Sequence, residues 1–568
     1  MKAEKLILGN FISMDEVKPF AKAVTVCNGR IQYVGSLERA ESLCDEQTIV
    51  LDYGENFIYP GFMEAHAHAT LAGQRHLGQA DVSRIFPTDK EKYRAVIRRY
   101  IADHPDKDSY WISGWTEDGN QEICSEFLDE ICSEKPMILI TDGGHAVLLN
   151  RAARNAFGVT KAFAFREGTD LVHVDENGEP TGYLCEKPAM KISFNCPISD
   201  RETRDFILDY QNFAFKHGVT AFGDAGVELN TPKSLNAYFE LDAEDALKIY
   251  SFGYLLTQDN DPSPEKTAEC IAKTVKEHPG KHFKIVGAKV FLDGVVESRT
   301  AWLEQDYFDK PGYHGTERYN DREKLSELIG ELGKYGLSVH AHTIGDGAVR
   351  FLLDCIEAGQ RISGNMDQRN ALAHLQLVRK EDIRRMADTN TVAVVPPLWT
   401  PKFPGIDEVE AGFLGKERNA STYPIRSFMD AGALTVFHSD YPISANFSVQ
   451  DSIYYAINRS LTKYEKDPND FSDSQKNPKE IVTRKQALLA MTLNVAAMFH
   501  EEANLGSIAI GKIANFTVMD TDFLTEESEK IPDAQVIATL VDGEEVYRNT
   551  AFRFSDKWMN RSIGGCKK

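Results

Sequence analysis

Gly61-Phe-Met-Glu-Ala-His66-Ala-His68 is the stretch whose reading decides the fold. It follows the apolar run Phe57-Ile-Tyr-Pro60 and reads as the last residues of a buried β-strand. Side chains on a strand alternate between faces, so residues two apart share one. His66 and His68 therefore aim two imidazoles at a common point, as a metal site needs. Pro60-Gly61 ahead of them permits a turn and a close approach of the backbone. Alone, a His-X-His pair is equally compatible with two polar strand-end histidines, so the reading turns on the rest of the chain.

Working outward, apolar strand-like runs alternate with helix-like segments, the pattern of βα units. The runs at 62–66, 219–224, 248–255, 283–292, 337–342, 371–376, 392–396 and 434–440 make eight strands, as a closed (β/α)8 barrel requires. Helices at 321–335 and 347–358 fit between them. The first two strands are separated by an excess of about 150 residues, too long for a simple connection. This excess carries its own strand at 137–141, a turn at Asn177-Gly178, and Trp111 and Trp115. It is assigned to an inserted subdomain, residues 75–215, placed to cover the barrel mouth. Both termini read as short strands and turns, with hairpin signals at Asn28-Gly29 and Asp542-Gly543. Residues 1–55 and 503–555 are accordingly expected to build one composite β-domain flanking a barrel over 56–502.

A chain of 568 residues accommodates one large catalytic domain and a smaller one. Its net charge of −22 argues against nonspecific nucleic-acid binding, which needs a basic footprint. No apolar run approaches the roughly 20 residues that cross a bilayer, and the first residues lack a secretory apolar core. The nine cysteines contain no Cys-X-X-Cys pair, which points to free thiols in a reducing compartment. The expectation is a cytoplasmic protein without membrane partners.

In such barrels the chemistry sits at the C-terminal strand ends. Those ends carry His66 and His68, then Lys289 and Asp293 four apart, His340 and His342, His374, and Asp440 in Phe437-His-Ser-Asp-Tyr-Pro442. Imidazoles and carboxylates together suit Zn²⁺ or a similar divalent ion. Each residue has a plainer alternative: Lys289 an ion pair at a strand edge, His374 a core histidine, Asp440 a turn residue. Lys289, however, lies in the apolar run 285–292, where an unpaired ammonium is costly. Carboxylation by CO₂ would make it an anionic ligand able to bridge two metals. The plain readings together require coincidences at five strand ends.

These stretches resemble the amidohydrolase superfamily of metal-dependent hydrolases, and look like its YtcJ-type branch, which includes N-substituted formamide deformylases. The resemblance rests on Pro60-Gly-Phe-Met-Glu-Ala-His-Ala-His68, Lys289-Val-Phe-Leu-Asp-Gly294 with Ser298-Arg-Thr-Ala301, and His342-Thr-Ile-Gly-Asp-Gly-Ala348. It extends through Ala373-His-Leu-Gln376, Ser439-Asp-Tyr-Pro442 and Gly506-Ser-Ile-Ala-Ile-Gly-Lys-Ile-Ala-Asn515. It implies a distorted (β/α)8 TIM barrel with a small β-sandwich built from both termini. It further implies metal ligation by His66, His68, carboxylated Lys289, His342, His374 and Asp440, with one or two divalent ions per chain and Zn²⁺ the first candidate. Substrate contacts are expected of His145 and Trp115 in the insert, and of Arg299, His340 and Asp293; the alternative for Trp115 is a place in the insert's core. Two residues depart from the pattern: His438 where many relatives carry Gly, and Tyr441 where a small residue is usual.

The activity this implies is hydrolysis of a non-peptide C–N bond (amide, N-acyl or N-formyl) in a small molecule. A metal-bound hydroxide would attack the carbonyl, with Asp440 as general base and then acid. His340 or Arg299 would help to stabilise the oxyanion. Two alternatives stay open: a mononuclear aminohydrolase of a heterocycle, with Lys289 unmodified and His374 turned to substrate, and a non-catalytic barrel. Many such barrels pair, so a homodimer is also open.

Overall fold

The computed structural model describes residues 2–83, 85, 89–115, 123–141, 146–193, 198–228, 233–257, 261, 263–444, 446–466 and 473–551. The chain forms two compact units, Met1–Ala67 with Gln211–Ser439 and Ser448–Lys568, and His68–Tyr210 with Asp440–Phe447.

In the first unit eight parallel strands lie in one sheet: β1 (Phe62–Ala67), β2 (Val219–Glu228), β3 (Tyr250–Leu256), β4 (Phe283–Phe291), β5 (Ser338–Thr343), β6 (Ala371–His374), β7 (Val392–Val395) and β8 (Thr435–Phe437). They pair in chain order, β1 against β2 through to β7 against β8. Burial of β1, β6, β7 and β8 along their whole length explains why the sequence shows continuous apolar runs rather than alternation. The eight expected strands are all present, with shifted ends. The last is shortest against expectation, ending at Phe437 rather than at 440. Helices Arg322–Lys334 and Asp346–Ser363 flank β5, the first capped by Asp321, whose side chain accepts from Lys324 N.

β1 and β8 are the two ends of this sheet order, and a side chain spans them. Both carboxylate oxygens of Glu64, on β1, lie 3.0 Å from Ser439 N just after β8. The same carboxylate accepts from His66 N at 3.1 Å. Gly61, which starts this turn into β1, has no room for a side chain: a Cβ there would stand 2.2 Å from Thr220 Oγ1.

The terminal strands form a seven-stranded sheet ordered Glu544–Arg548, Val536–Val541, Phe516–Met519, Ile49–Pro60, Lys5–Ile12, Phe20–Cys27 and Arg30–Gly35. Asn28-Gly29 (φ 53° and 69°) and Asp542-Gly543 (φ 52° and 75°) make the two tight hairpin turns that the sequence signalled. The sheet curls over its own face: Ile31 N donates to Lys512 O at 2.8 Å and Ala514 N to Gly29 O at 2.9 Å. Val26, Ile31, Ile537 and Leu540 consequently share one buried cluster.

The second unit has a six-stranded sheet ordered Val172–Val174, Pro180–Cys185, Ala146–Leu149, Met137–Thr141, Tyr110–Trp115 and Ala80–Asp81. Alternation along Tyr110–Trp115 feeds two cores: Tyr110 and Ile112 pack with Tyr93, Ile97 and Phe127, whereas Trp111 packs with Ile138, Val147 and Leu149. Among the described residues no helix is long and apolar enough to cross a membrane.

Candidate active site

The barrel strand ends carry a tight group of buried imidazoles. Ring centroids of His66 and His374 are 5.1 Å apart, His66 and His438 5.1 Å, and His374 and His438 5.0 Å. His342 stands 4.6 Å from His374, and Trp399 stacks on His374 at 5.4 Å. Strand register builds this group: β4 and β5 pair Lys289 with His340, and β5 and β6 pair Thr343 with His374. His374 has φ 81°, a strained backbone for a non-glycine residue that must be held by its surroundings.

Partners orient these rings. His66 Nδ1 and His340 Nε2 are 2.7 Å apart. His342 Nδ1 donates to Asp293 Oδ1 at 3.0 Å, which fixes the proton on Nδ1 and leaves Nε2 as the basic nitrogen. The fully buried Asp293 carboxylate is itself held by Gly345 N at 2.8 Å, Trp302 N at 3.1 Å and Ile344 N at 3.1 Å. Burial pushes the His342 pKa below its ordinary value, opposed by the Asp293 carboxylate and assisted by the nearby Lys289 charge. A neutral imidazole with a carboxylate behind it is the state in which histidine ligates a metal. Lys289 is buried, with Nζ 5.0 Å from the centroid of the Phe291 ring.

In the second unit, His68 Nε2 lies 3.3 Å from Asp440 Oδ1. Asp440 follows Ser439 directly in the chain, so the Glu64 contact to Ser439 N fixes the peptide from which Asp440 departs.

The residues expected at the substrate are placed variously. Asp293 has its carboxylate committed to His342 and three backbone N–H groups. His340 is fully buried, its ring 4.7 Å from that of Tyr254 and its Nε2 on His66. The Arg299 guanidinium pairs with Asp309 and lies 3.6 Å over the Phe413 ring. Trp115 is 5% exposed, within the insert's core and edge-on to Tyr183. His145 lies outside the described residues. Glu64 escaped the sequence reading although it shares strand parity with His66 and His68, and a carboxylate inside an apolar strand is a signal in itself. The place of His438 within the imidazole group was equally unread.

A parallel eight-stranded barrel with imidazoles and carboxylates at the carboxyl ends of its strands defines a class of barrel enzymes that work through divalent ions. The family model described as the amidohydrolase family matches residues 50–547, and the chain belongs to that family. The putative amidohydrolase YtcJ of Bacillus subtilis (strain 168) is 26% identical, covering 95% of this chain and 99% of YtcJ. The N-substituted formamide deformylase of Arthrobacter pascens is 26% identical, covering 97% of this chain and 99% of the deformylase. Among solved structures, an uncharacterized metal-dependent hydrolase from Pyrococcus furiosus shares the fold with a TM-score of 0.71, 24% identity, and coverage of 92% of this chain and 100% of that one.

Proposed function

We propose that the protein hydrolyses a non-peptide C–N bond of a small molecule, an amide of the N-acyl or N-formyl type. The observation that carries this reading is the carboxylate-backed, neutral His342 among buried imidazoles at the barrel's strand ends. Similarity to an N-substituted formamide deformylase supports the N-formyl case. His66, His68, Lys289 as its carbamate, His342, His374 and Asp440 would hold the divalent metal, imidazoles and carboxylates being ligands suited to Zn²⁺. A bound divalent ion supplies Lewis acidity and brings the pKa of water near neutrality. For His66 to ligate through Nε2, its Nδ1 proton must be donated to His340 Nε2, so His340 holds a tautomer. The Asp440 carboxylate accepts the proton of the attacking water and returns it to the leaving nitrogen. One amide and one water become one carboxylic acid, formic acid for an N-formyl substrate, and one amine.

A second reading has one ion and an unmodified Lys289, with deamination of a heterocycle as the reaction. In it Lys289 keeps its ammonium, whose Nζ lies 5.0 Å from the centre of the Phe291 ring. A screen of N-formyl and N-acyl amines, reading formate or carboxylate release against ammonia release from aminated heterocycles, separates the two. Amine and acid release in equal amounts is the expected result. Ammonia from a heterocycle would replace the first reading by the second.

A further inference from the structure

Within the second unit the Tyr441 side chain closes a hydrogen-bond chain. Its hydroxyl lies 2.6 Å from His76 Nε2, and His76 Nδ1 lies 2.5 Å from Asp209 Oδ2 on helix Asp200–Lys216. A carboxylate on Nδ1 sets the proton there, so Nε2 accepts from the Tyr441 hydroxyl and the chain runs Tyr441 to His76 to Asp209. The Tyr441 ring packs edge-on against Phe447, which packs likewise on Tyr210, the residue after Asp209. Backbone contacts run in parallel. His68 N donates to Tyr441 O at 2.9 Å, and the Arg75 guanidinium to Pro442 O at 2.5 Å.

The Tyr441–His76, His68–Tyr441 and Arg75–Pro442 contacts join segment 68–76 to the turn that begins at Asp440, and Phe447 on Tyr210 joins that turn to the helix behind. The two segments carry the pair His68 and Asp440, 3.3 Å apart. Asp440 has left-handed backbone (φ 59°), a conformation that persists in a non-glycine residue only when its surroundings impose it. A small side chain at 441 could not reach His76, so the clip depends on the tyrosine.

We propose that Tyr441, His76 and Asp209 are positioning residues: their hydrogen-bond chain locks the Asp440 turn onto the segment bearing His68 and thereby sets the spacing of these two metal-binding side chains. The inference rests on the reading of His68 and Asp440 as ligands. Tyr441→Phe removes the hydroxyl and keeps the ring on Phe447, so it tests the clip without emptying the core.

Wild type, Tyr441→Phe, His68→Ala, His76→Ala and the His76→Ala/Tyr441→Phe double variant are each stripped of metal and titrated with zinc against a chromophoric chelator. Amide hydrogen exchange over 440–447 is followed in each. Loss of a partner that orients ligands typically weakens metal binding about 10-fold to 100-fold. The expected result for Tyr441→Phe is the lower end of that range, faster exchange over 440–447, and an unchanged melting temperature. His76→Ala alone and combined with Tyr441→Phe should have the same effect, because both cut one chain. Zinc affinity unchanged in Tyr441→Phe while His68→Ala is impaired overturns the clip alone, as does faster exchange without any loss of affinity. Affinity unchanged in both variants overturns the ligand reading and the clip with it.

Discussion

Asp293→Asn changes one atom of a fully buried side chain, and its consequence can be worked through partner by partner. Oδ1 serves His342 Nδ1 and Ile344 N, and Oδ2 serves Gly345 N and Trp302 N while also lying 3.2 Å from Ile344 N. The amide of Asn has one acceptor oxygen and one donor NH₂. If the NH₂ took the Oδ2 place it would face two backbone N–H groups that cannot rearrange, at about 1–3 kcal/mol each. If it took the Oδ1 place it would face His342, which can adapt by moving its proton from Nδ1 to Nε2. The second costs less and wins. It leaves Nε2 protonated and unable to ligate, so zinc affinity should fall about 10-fold to 100-fold, roughly 1.4–2.7 kcal/mol. Chelator competition on the metal-free protein reads the affinity, and a thermal melt verifies that the variant is folded. Zinc affinity within about twofold of wild type, in a folded Asp293→Asn protein, would refute the claim that Asp293 sets the ligating tautomer of His342.

Asp440→Asn should keep metal bound and lower turnover by about 10²–10⁴, the usual worth of a general base; retained turnover removes Asp440 from proton transfer. Glu64→Ala leaves Ser439 N and His66 N without their acceptor, a loss of roughly 2–6 kcal/mol at about 1–3 kcal/mol each, seen as a lower denaturation midpoint. An unchanged midpoint would mean that Glu64 does not hold β1 to the end of β8. His282, directly before β4, is buried beside Asp242 and Asp542. Burial lowers its pKa but the two carboxylates outweigh that and raise it above the ordinary value, while hydrogen bonds from His282, Lys281 and Tyr250 outweigh burial and hold Asp542 below its own. The His282 contribution is therefore complete below the ordinary histidine value of about 6.5 and lost as pH rises through the raised one. That of Asp542 is present above about 3.9 and lost as pH falls. His282→Ala should accordingly destabilise by about 3 kcal/mol near pH 5.5 and by clearly less near pH 9, measured by denaturant titration at both; an equal loss at both pH values would contradict it.

The barrel was legible because a parallel strand buried on both faces must be a nearly unbroken apolar run, and polar residues at its end then stand out, as His66, His374 and Asp440 do. The terminal sheet was legible through Asn28-Gly29 and Asp542-Gly543, whose backbone needs are local. What could not be read is pairing through space. Glu64 meets Ser439 across 375 positions, and His76 meets Tyr441 across 365, with no periodicity to announce either. Strand parity put Asp293 on the face of Lys289 but says nothing about which backbone N–H groups the following loop brings back to its carboxylate. Trp115 had two readings for the same reason, and its place in the insert's core follows from the partners that the sheet order assembles there.

The central claim is that this chain is a metal-dependent hydrolase whose ligands are the strand-end residues. Metal stoichiometry per chain, by elemental analysis after reconstitution with zinc and bicarbonate, tests it most directly. The account predicts about two equivalents, as for a lysine-carbamate-bridged pair, falling when Lys289 is replaced by Ala. Protein that retains no tightly bound metal after reconstitution would contradict it.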